Sequence, residues 1–397
     1  MNSVTKILND LHDTSRGSVG SPQDIPVHGW PLTPSLNFSS AYAFTSIDDL
    51  GIYHEDKFRS VRYGRDSSVL VRQLEGYFSG IFNNAPALLF DSGMSAVSAA
   101  IASVTRSGST VCTLGTQYRK TYAILKDLSK RFDIQYKQYN SEKDLLESQK
   151  NADEHLTLVI ESPAHPFLRL TDIKRLREEF PNAKIILDIS FQGLLNDKGV
   201  NQYADIIVSS CTKYIGGHND ILGGVIACNT SHWYSELWNQ RSMNGGIMDN
   251  MSAYLLFRSL RTYDIRMERS LENTQKALEH LESTKNVARI YYPGSYSNSD
   301  QNDLFERSHV HGGSVITFVI DDKVDVENNI GNLHSTKMAP SFGAVDSLIE
   351  IPLYMSHWHE KERAQQELGL TRTTIRISIG NEPIDSIIGD LNRLCGL

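Results

Sequence analysis

The chain has 397 residues, 40% apolar and 22% charged, with a formal net charge of −8. That length predicts two or three domains around a large core. An acidic balance with no long basic run argues against a nucleic-acid partner, and no stretch approaches the ~20 apolar residues needed to cross a bilayer.

Residues 1–60 lack periodicity and are punctuated by Pro22, Pro26, Pro31 and Pro34. They predict an extended N-terminal arm whose aromatics need a neighbouring subunit for burial. The first ten residues are polar and lack the apolar centre of a signal peptide. Cys112, Cys211, Cys228 and Cys395 show no paired spacing. Together these features predict a cytoplasmic protein with reduced thiols.

Arg62-Tyr63-Gly64-Arg65 comes next, followed by apolar residues at helical spacing: Leu70, Leu74, Tyr77, Phe78 and Ile81. The first motif is either a capping turn or a phosphate-binding pair, with the Tyr63 hydroxyl beside the Arg65 guanidinium. Residues 87–101 read as a strand, a sharp turn and a small-residue helix. Ser92-Gly93-Met94 then lies at a helix N-terminus, where free backbone N–H groups can bind a phosphate. Strands over 109–114, 156–161, 184–188 and 204–208, with helices over 121–132 and 172–180, predict a mostly parallel sheet covered on both faces. In such sheets ligands bind beyond the carboxyl ends of strands. Glu161, Asp188, Ser92-Gly93 and the stretch 209–213 all fall there.

Asp188 closes the apolar run Ile185-Ile186-Leu187, where a carboxylate needs a partner. A pyridinium N–H is one such partner; capping the next turn is the other reading. Lys213 follows a strand, flanked by Ser210 and Thr212 and by two glycine pairs. A lysine beside a phosphate site is what the pyridoxal 5′-phosphate Schiff base requires. Cys211 reads as a small apolar residue beside it.

Residues 229–250 predict a helix and a Gly-rich loop, and 252–281 one long helix. Most of Arg258, Arg261, Arg266 and Arg269 are placed on a solvated or interface face. Strands over 313–320 and 374–379 and a closing helix over 384–394 give the C-terminal part an α+β texture. Arg376 is expected on the polar face of a one-sided strand. There it either faces solvent or clamps a carboxylate in a bidentate fork. The pairs His309/His311 and His357/His359 lack a third ligand at a recognisable spacing, so no metal is predicted.

Three segments carry a family resemblance: Ser210-Cys-Thr-Lys-Tyr-Ile-Gly-Gly-His-Asn-Asp220, Glu161-Ser-Pro-Ala-His-Pro166 and Thr374-Ile-Arg-Ile-Ser-Ile-Gly-Asn-Glu382. From about residue 30 onward the chain resembles the Cys/Met-metabolism family, pyridoxal phosphate enzymes of fold type I. The resemblance implies an α/β fold, with a mostly parallel seven-stranded sheet in a large cofactor-binding domain (61–255). A smaller α+β C-terminal domain (256–397) follows. It implies that Lys213 holds the cofactor and shuttles protons, while Asp188 pairs with the pyridine nitrogen. Gly93, Met94, Ser210 and Thr212 hold the phosphate, joined by Tyr63 and Arg65 from a neighbouring subunit. Tyr118 stacks on the ring and is counted with Lys213 as catalytic; Ser190 joins the cofactor site. Arg376, Ser341 and His165 bind the substrate.

The implied assembly is a homo-oligomer sharing its sites, a dimer built into a homotetramer. Four departures from the family pattern stand out: His165, the pair Ile189-Ser190, Phe342 and Pro340. All lie near where a substrate side chain would sit. The implied reaction is carbon–sulfur lysis by β-elimination on a cystathionine-like amino acid, releasing a thiol, pyruvate and ammonia. The second reading is γ-replacement or γ-elimination on an O-activated homoserine or related amino acid, including in specialised metabolism. A non-catalytic cofactor-bound regulator is a third.

Overall fold

The computed structural model describes residues 3, 4, 6, 7, 32–58, 60–149, 155–295 and 299–397. Of the predicted N-terminal arm, residues 8–31 lie outside these residues. The described chain forms two sheets. The larger has seven strands in the order β1-β7-β6-β5-β4-β2-β3. These are β1 (Ala87–Phe90), β2 (Thr110–Leu114), β3 (Gln135–Tyr139), β4 (Leu156–Glu161), β5 (Lys184–Asp188), β6 (Ile206–Ser210) and β7 (Gly224–Cys228). Only β7 runs against its neighbours, β1 and β6.

The strands are near-continuous apolar runs because helices cover both faces. Ile185 and Leu187 pack with Leu158, Ile160 and the helix Ile173–Glu179. Ile186 and Val159 point the other way, toward the small-residue helix Gly93–Val104 and Trp238. The smaller sheet has the order β10-β11-β12-β9-β8. Its strands are β8 (Val287–Tyr291), β9 (Val315–Ile320), β10 (Lys337–Met338), β11 (Leu348–Glu350) and β12 (Thr374–Ser378). The closing helix Ile384–Leu394 covers it, with Ile387, Leu391 and Leu394 fully buried.

Among the elements the sequence pattern does not reveal are β3, the helix Glu142–Ser148, β7 and β8. β3 is an edge strand with a polar sequence, Gln-Tyr-Lys-Gln-Tyr, so it carries no apolar signal. β7 was hidden by Gly223-Gly224, which read as the end of a turn. A Cβ on Gly224 would lie 2.5 Å from the Ser92 carbonyl oxygen, so close packing against the helix start requires a glycine there. The single helix expected over 252–281 is two, Asn250–Leu260 and Tyr263–Ser283, broken at Arg261 and Thr262. β12 is buried along its whole length rather than one-sided. Ile375 and Ile377 enter the small core, while the Thr374-Arg376-Ser378 face is covered by the rest of the chain.

Candidate active site

Lys213 sits in a single turn, Cys211–Ile215, directly after β6. The turn is closed by the Gly216 N–H donating to the Cys211 carbonyl (2.7 Å). Lys213 itself leaves helical geometry (φ −87°, ψ −132°), which turns its side chain away from the turn axis. Arg266 holds the turn from behind. It donates to the carbonyls of Tyr214 (3.0 Å) and Ile215 (3.1 Å) and is buried, unlike the solvated arginine expected there. Gly217 (φ +70°) has no room for a Cβ, which would fall 1.8 Å from that guanidinium.

The lysine points into a cavity of about 690 Å³ at the carboxyl ends of the parallel strands. Its Nζ donates to Ser341 Oγ (2.7 Å) and lies 5.0 Å from the Phe342 ring centroid. Burial and the Arg376 charge lower the amine to about 8, against a smaller upward pull from Glu350.

One end of the cavity is built for an anion. Ser92 caps the helix Gly93–Val104, its Oγ accepting from the Ser95 N–H (3.1 Å). The following backbone N–H groups are free of intrahelical partners by construction. Ser210 and Thr212 bring hydroxyls to the same place from the end of β6. A Cβ on Gly93 would lie 3.1 Å from Ser210 Oγ, so glycine lets the helix end approach the strand.

At the middle of the cavity stands Asp188, half-buried at the end of β5. It accepts the Ser190 N–H (2.9 Å), and burial raises its pKa. Ser190 Oγ in turn accepts the Ser210 N–H (2.8 Å). Glu161 lies across from Asp188 in strand register. It accepts the backbone N–H groups of Tyr118 (2.7 Å) and His165 (3.1 Å), while burial and Asp188 raise it to about 8. Tyr118 is thereby held at the cavity rim, 53% exposed.

The opposite wall comes from the smaller sheet. Arg376 is 6% exposed and pairs with Glu350 Oε1 at 3.1 Å, its cross-strand neighbour on β11. Its Nη2 donates to the Ser341 carbonyl (2.8 Å). Phe342 stacks on Phe191 with centroids 3.8 Å apart, and His165 stacks on the far side of Phe191.

A family model for the Cys/Met metabolism PLP-dependent enzymes matches residues 26–394. The chain belongs to that family. Its members depend on pyridoxal phosphate, and they are enzymes acting on small amino acids. The chain is 30% identical to cystathionine gamma-synthase 1, chloroplastic, of Arabidopsis thaliana, over 90% of this chain and 64% of that protein's length. Against cystathionine gamma-lyase of Bacillus subtilis it is 29% identical, covering 83% of this chain and 87% of that one. Against cystathionine beta-lyase of Lactococcus lactis it is 27% identical, covering 84% and 88%. Cystathionine gamma synthase of Xanthomonas oryzae, solved with aminoacrylate and cysteine, superposes with a TM-score of 0.87. That match is at 22% identity and covers 100% of this chain and 98% of that one. It supports the α/β fold with a mainly parallel sheet and a smaller second sheet.

The site fits the family's cofactor on its own chemistry. An anion cradle, a strand-end carboxylate and a lysine of lowered pKa line one cavity. Gly93, Met94, Tyr118, His165, Asp188, Ser190, Ser210, Thr212, Lys213, Ser341 and Arg376 all line it. Tyr63 and Arg65 do not. Tyr63 is 43% exposed, and Arg65 donates to the Ser242 carbonyl (2.6 Å). The sequence reading gave no role to Glu350 or Phe191. Glu350 carried the same signal as Asp188, a carboxylate closing an apolar run, and could have been found by it. Among the described residues no cluster of His, Cys, Asp or Glu could hold a metal, and no helix is long and apolar enough to cross a membrane.

Proposed function

We propose that this enzyme is a carbon–sulfur lyase acting by β-elimination on a cystathionine-like amino acid, releasing a thiol, pyruvate and ammonia. The observation that carries the reading is Lys213: a half-buried amine brought to about 8, facing both a strand-end carboxylate and a buried arginine across one cavity. Bound pyridoxal phosphate supplies the electron sink for the charge left when the substrate loses its α-proton. Lys213 takes that proton, which its lowered pKa permits near neutral pH. Asp188 holds a proton at the pyridine nitrogen. Gly93, Met94, Ser210 and Thr212 hold the phosphate, Ser190 steadies Asp188, and Tyr118 covers the ring face. Arg376, with Ser341, binds the substrate carboxylate.

We infer a homo-oligomer, a dimer assembled into a tetramer, in which a second copy supplies Tyr63 and Arg65. Their exposure, and that of Leu32 (79%) and Phe38 (72%), supports it. In the same reading, residues 61–255 make the cofactor-binding domain, 256–397 the smaller one, and 1–60 the arm against the neighbour.

The second reading is γ-replacement or γ-elimination on an O-activated homoserine. It is favoured by the named activity of the 30% identical Arabidopsis relative. One experiment separates the two. Purified protein is loaded with pyridoxal phosphate, its visible absorbance recorded, and L-cystathionine added. Pyruvate supports β-elimination, and 2-oxobutyrate transfers the assignment to γ chemistry. Lys213→Ala should lose the covalently bound cofactor and all turnover. Covalent attachment that persists in that variant would overturn the role given to Lys213.

A further inference from the structure

His165 is not placed as a simple substrate contact. Its Nδ1 lies 3.3 Å from Arg376 Nη1. A guanidinium only donates, so Nδ1 must accept, and the imidazole proton must sit on Nε2. Nε2 is 3.0 Å from Ser356 Oγ, which is itself 3.0 Å from Glu350 Oε1. Glu350 Oε1 returns to Arg376 Nη1 at 3.1 Å. Three side chains from the smaller sheet and its following loop and one from the loop after β4 thus close a ring: guanidinium to imidazole, imidazole to hydroxyl, hydroxyl to carboxylate, and guanidinium to the same carboxylate. The ring leaves Arg376 Nε without a hydrogen-bond partner among the described residues. The imidazole plane is fixed by stacking on Phe191 (interplanar angle 3°), and its backbone N–H by Glu161.

We propose that His165 is a positioning residue: its neutral imidazole sets the guanidinium of Arg376 for the substrate carboxylate, and its protonation unseats that guanidinium. The proposal rests on the reading of Arg376 as the carboxylate site. A second proton on His165 would go to Nδ1 and set two donors face to face. The charged or titratable groups facing the ring are Arg376 on β12, Glu350 on β11, His357 in the loop beyond it (ring centroids 5.5 Å) and Glu161 at the end of β4. Burial, Arg376 and His357 hold the imidazole well below its usual 6.5. The ring is therefore intact at neutral pH and opens only in acid.

The test is equilibrium binding to the cofactor-loaded enzyme, followed by the change in cofactor absorbance from about pH 8 down to the acid limit of the folded protein. L-Alanine presents an amine and a carboxylate; ethylamine presents the amine alone. The two are compared at equal free-amine concentration. In the parent, the preference for L-alanine should shrink at the acid end. His165→Asn keeps an acceptor for the guanidinium but cannot be protonated, so its preference should be flat with pH. His165→Ala should weaken L-alanine about tenfold at neutral pH, the loss of ~1.4 kcal/mol of orientation, and leave ethylamine unchanged. A pH-independent preference in the parent, or equal weakening of both ligands in His165→Ala, would overturn the proposal. Arg376→Ala separates the two readings. If it abolishes the preference while both His165 variants behave as the parent, only the positioning role falls. If it leaves the preference intact, the carboxylate reading of Arg376 falls too.

Discussion

Arg376 is a buried cation and Lys213 a half-buried amine, and the structure treats them in opposite ways. Arg376 keeps its charge because Glu350 and the Ser341 carbonyl compensate it. Among the described residues Lys213 Nζ has only a hydroxyl within hydrogen-bonding distance, so burial and Arg376 drive it toward the neutral amine. A neutral amine attacks a carbonyl and an ammonium does not. Uptake of pyridoxal phosphate by the cofactor-free protein should therefore speed up as pH rises and level off above about 8, which stopped-flow absorbance would read. In the proposed carboxylate-binding role of Arg376 the fork matters more than the charge. Arg376→Lys should raise KM for the amino-acid substrate by roughly tenfold or more with a smaller change in kcat, because a point charge replaces a bidentate donor. Steady-state kinetics at saturating cofactor distinguish the two parameters. Equal losses in both would assign Arg376 to the transition state instead.

The element that shapes the anion end of the cavity is the helix Gly93–Val104, pressed against β6 and β7. Its approach depends on side chains that are absent at Gly93 and Gly224. A methyl group at Gly224 meets both the Ser92 carbonyl and the Ala96 Cβ (2.9 Å), neither of which is a flexible side-chain end. Gly224→Ala should cost about 1–3 kcal/mol of stability by overpacking and should weaken cofactor binding, because the helix start moves away from Ser210 and Thr212. Thermal unfolding and a cofactor titration check the two effects together. A destabilised variant with parental cofactor affinity would uncouple the helix position from the anion site. The turn Cys211–Ile215 depends likewise on an element far along the chain, since Arg266 on the helix Tyr263–Ser283 satisfies its carbonyls.

Across the whole molecule, the cavity exists only because the two sheets face each other, and the segment entering β9 ties them together. Asn196 accepts the N–H groups of Val310 (2.9 Å) and His311 (2.8 Å) and donates to the His311 carbonyl (2.8 Å). His309 and His311 are lowered to about 4, both chiefly by burial, with His311 and Lys198 adding to the shift at His309. The sign follows directly. The unfolded chain binds protons at these histidines near 6.5, the folded chain only near 4, so protonation favours unfolding. Stability should be full above about pH 6.5 and fall progressively toward pH 4. Urea unfolding at about pH 7 and about pH 5 would measure it. Replacing both histidines by glutamine should flatten the dependence in that window; an unchanged slope would place the acid sensitivity elsewhere.

The amino-acid sequence by itself singled out the residues of the proposed cofactor site. Asp188, Lys213 and the Ser92-Gly93 turn are local signals, a polar group ending an apolar strand or a glycine where backbone must come close, and such signals survive without knowledge of the fold. The strands 156–161 and 184–188 and the helix 384–394 were legible for the same reason, since their periodicity is intrinsic. Only the tertiary structure decided what surrounds Arg376. His165 and Arg376 are 211 residues apart, and their meeting depends on how the loop after β4 packs against β12. The antiparallel course of β7 and the burial of β12 belong to the same class. Each depends on which surface ends up against which, and a one-dimensional pattern of apolar and polar residues does not carry that information.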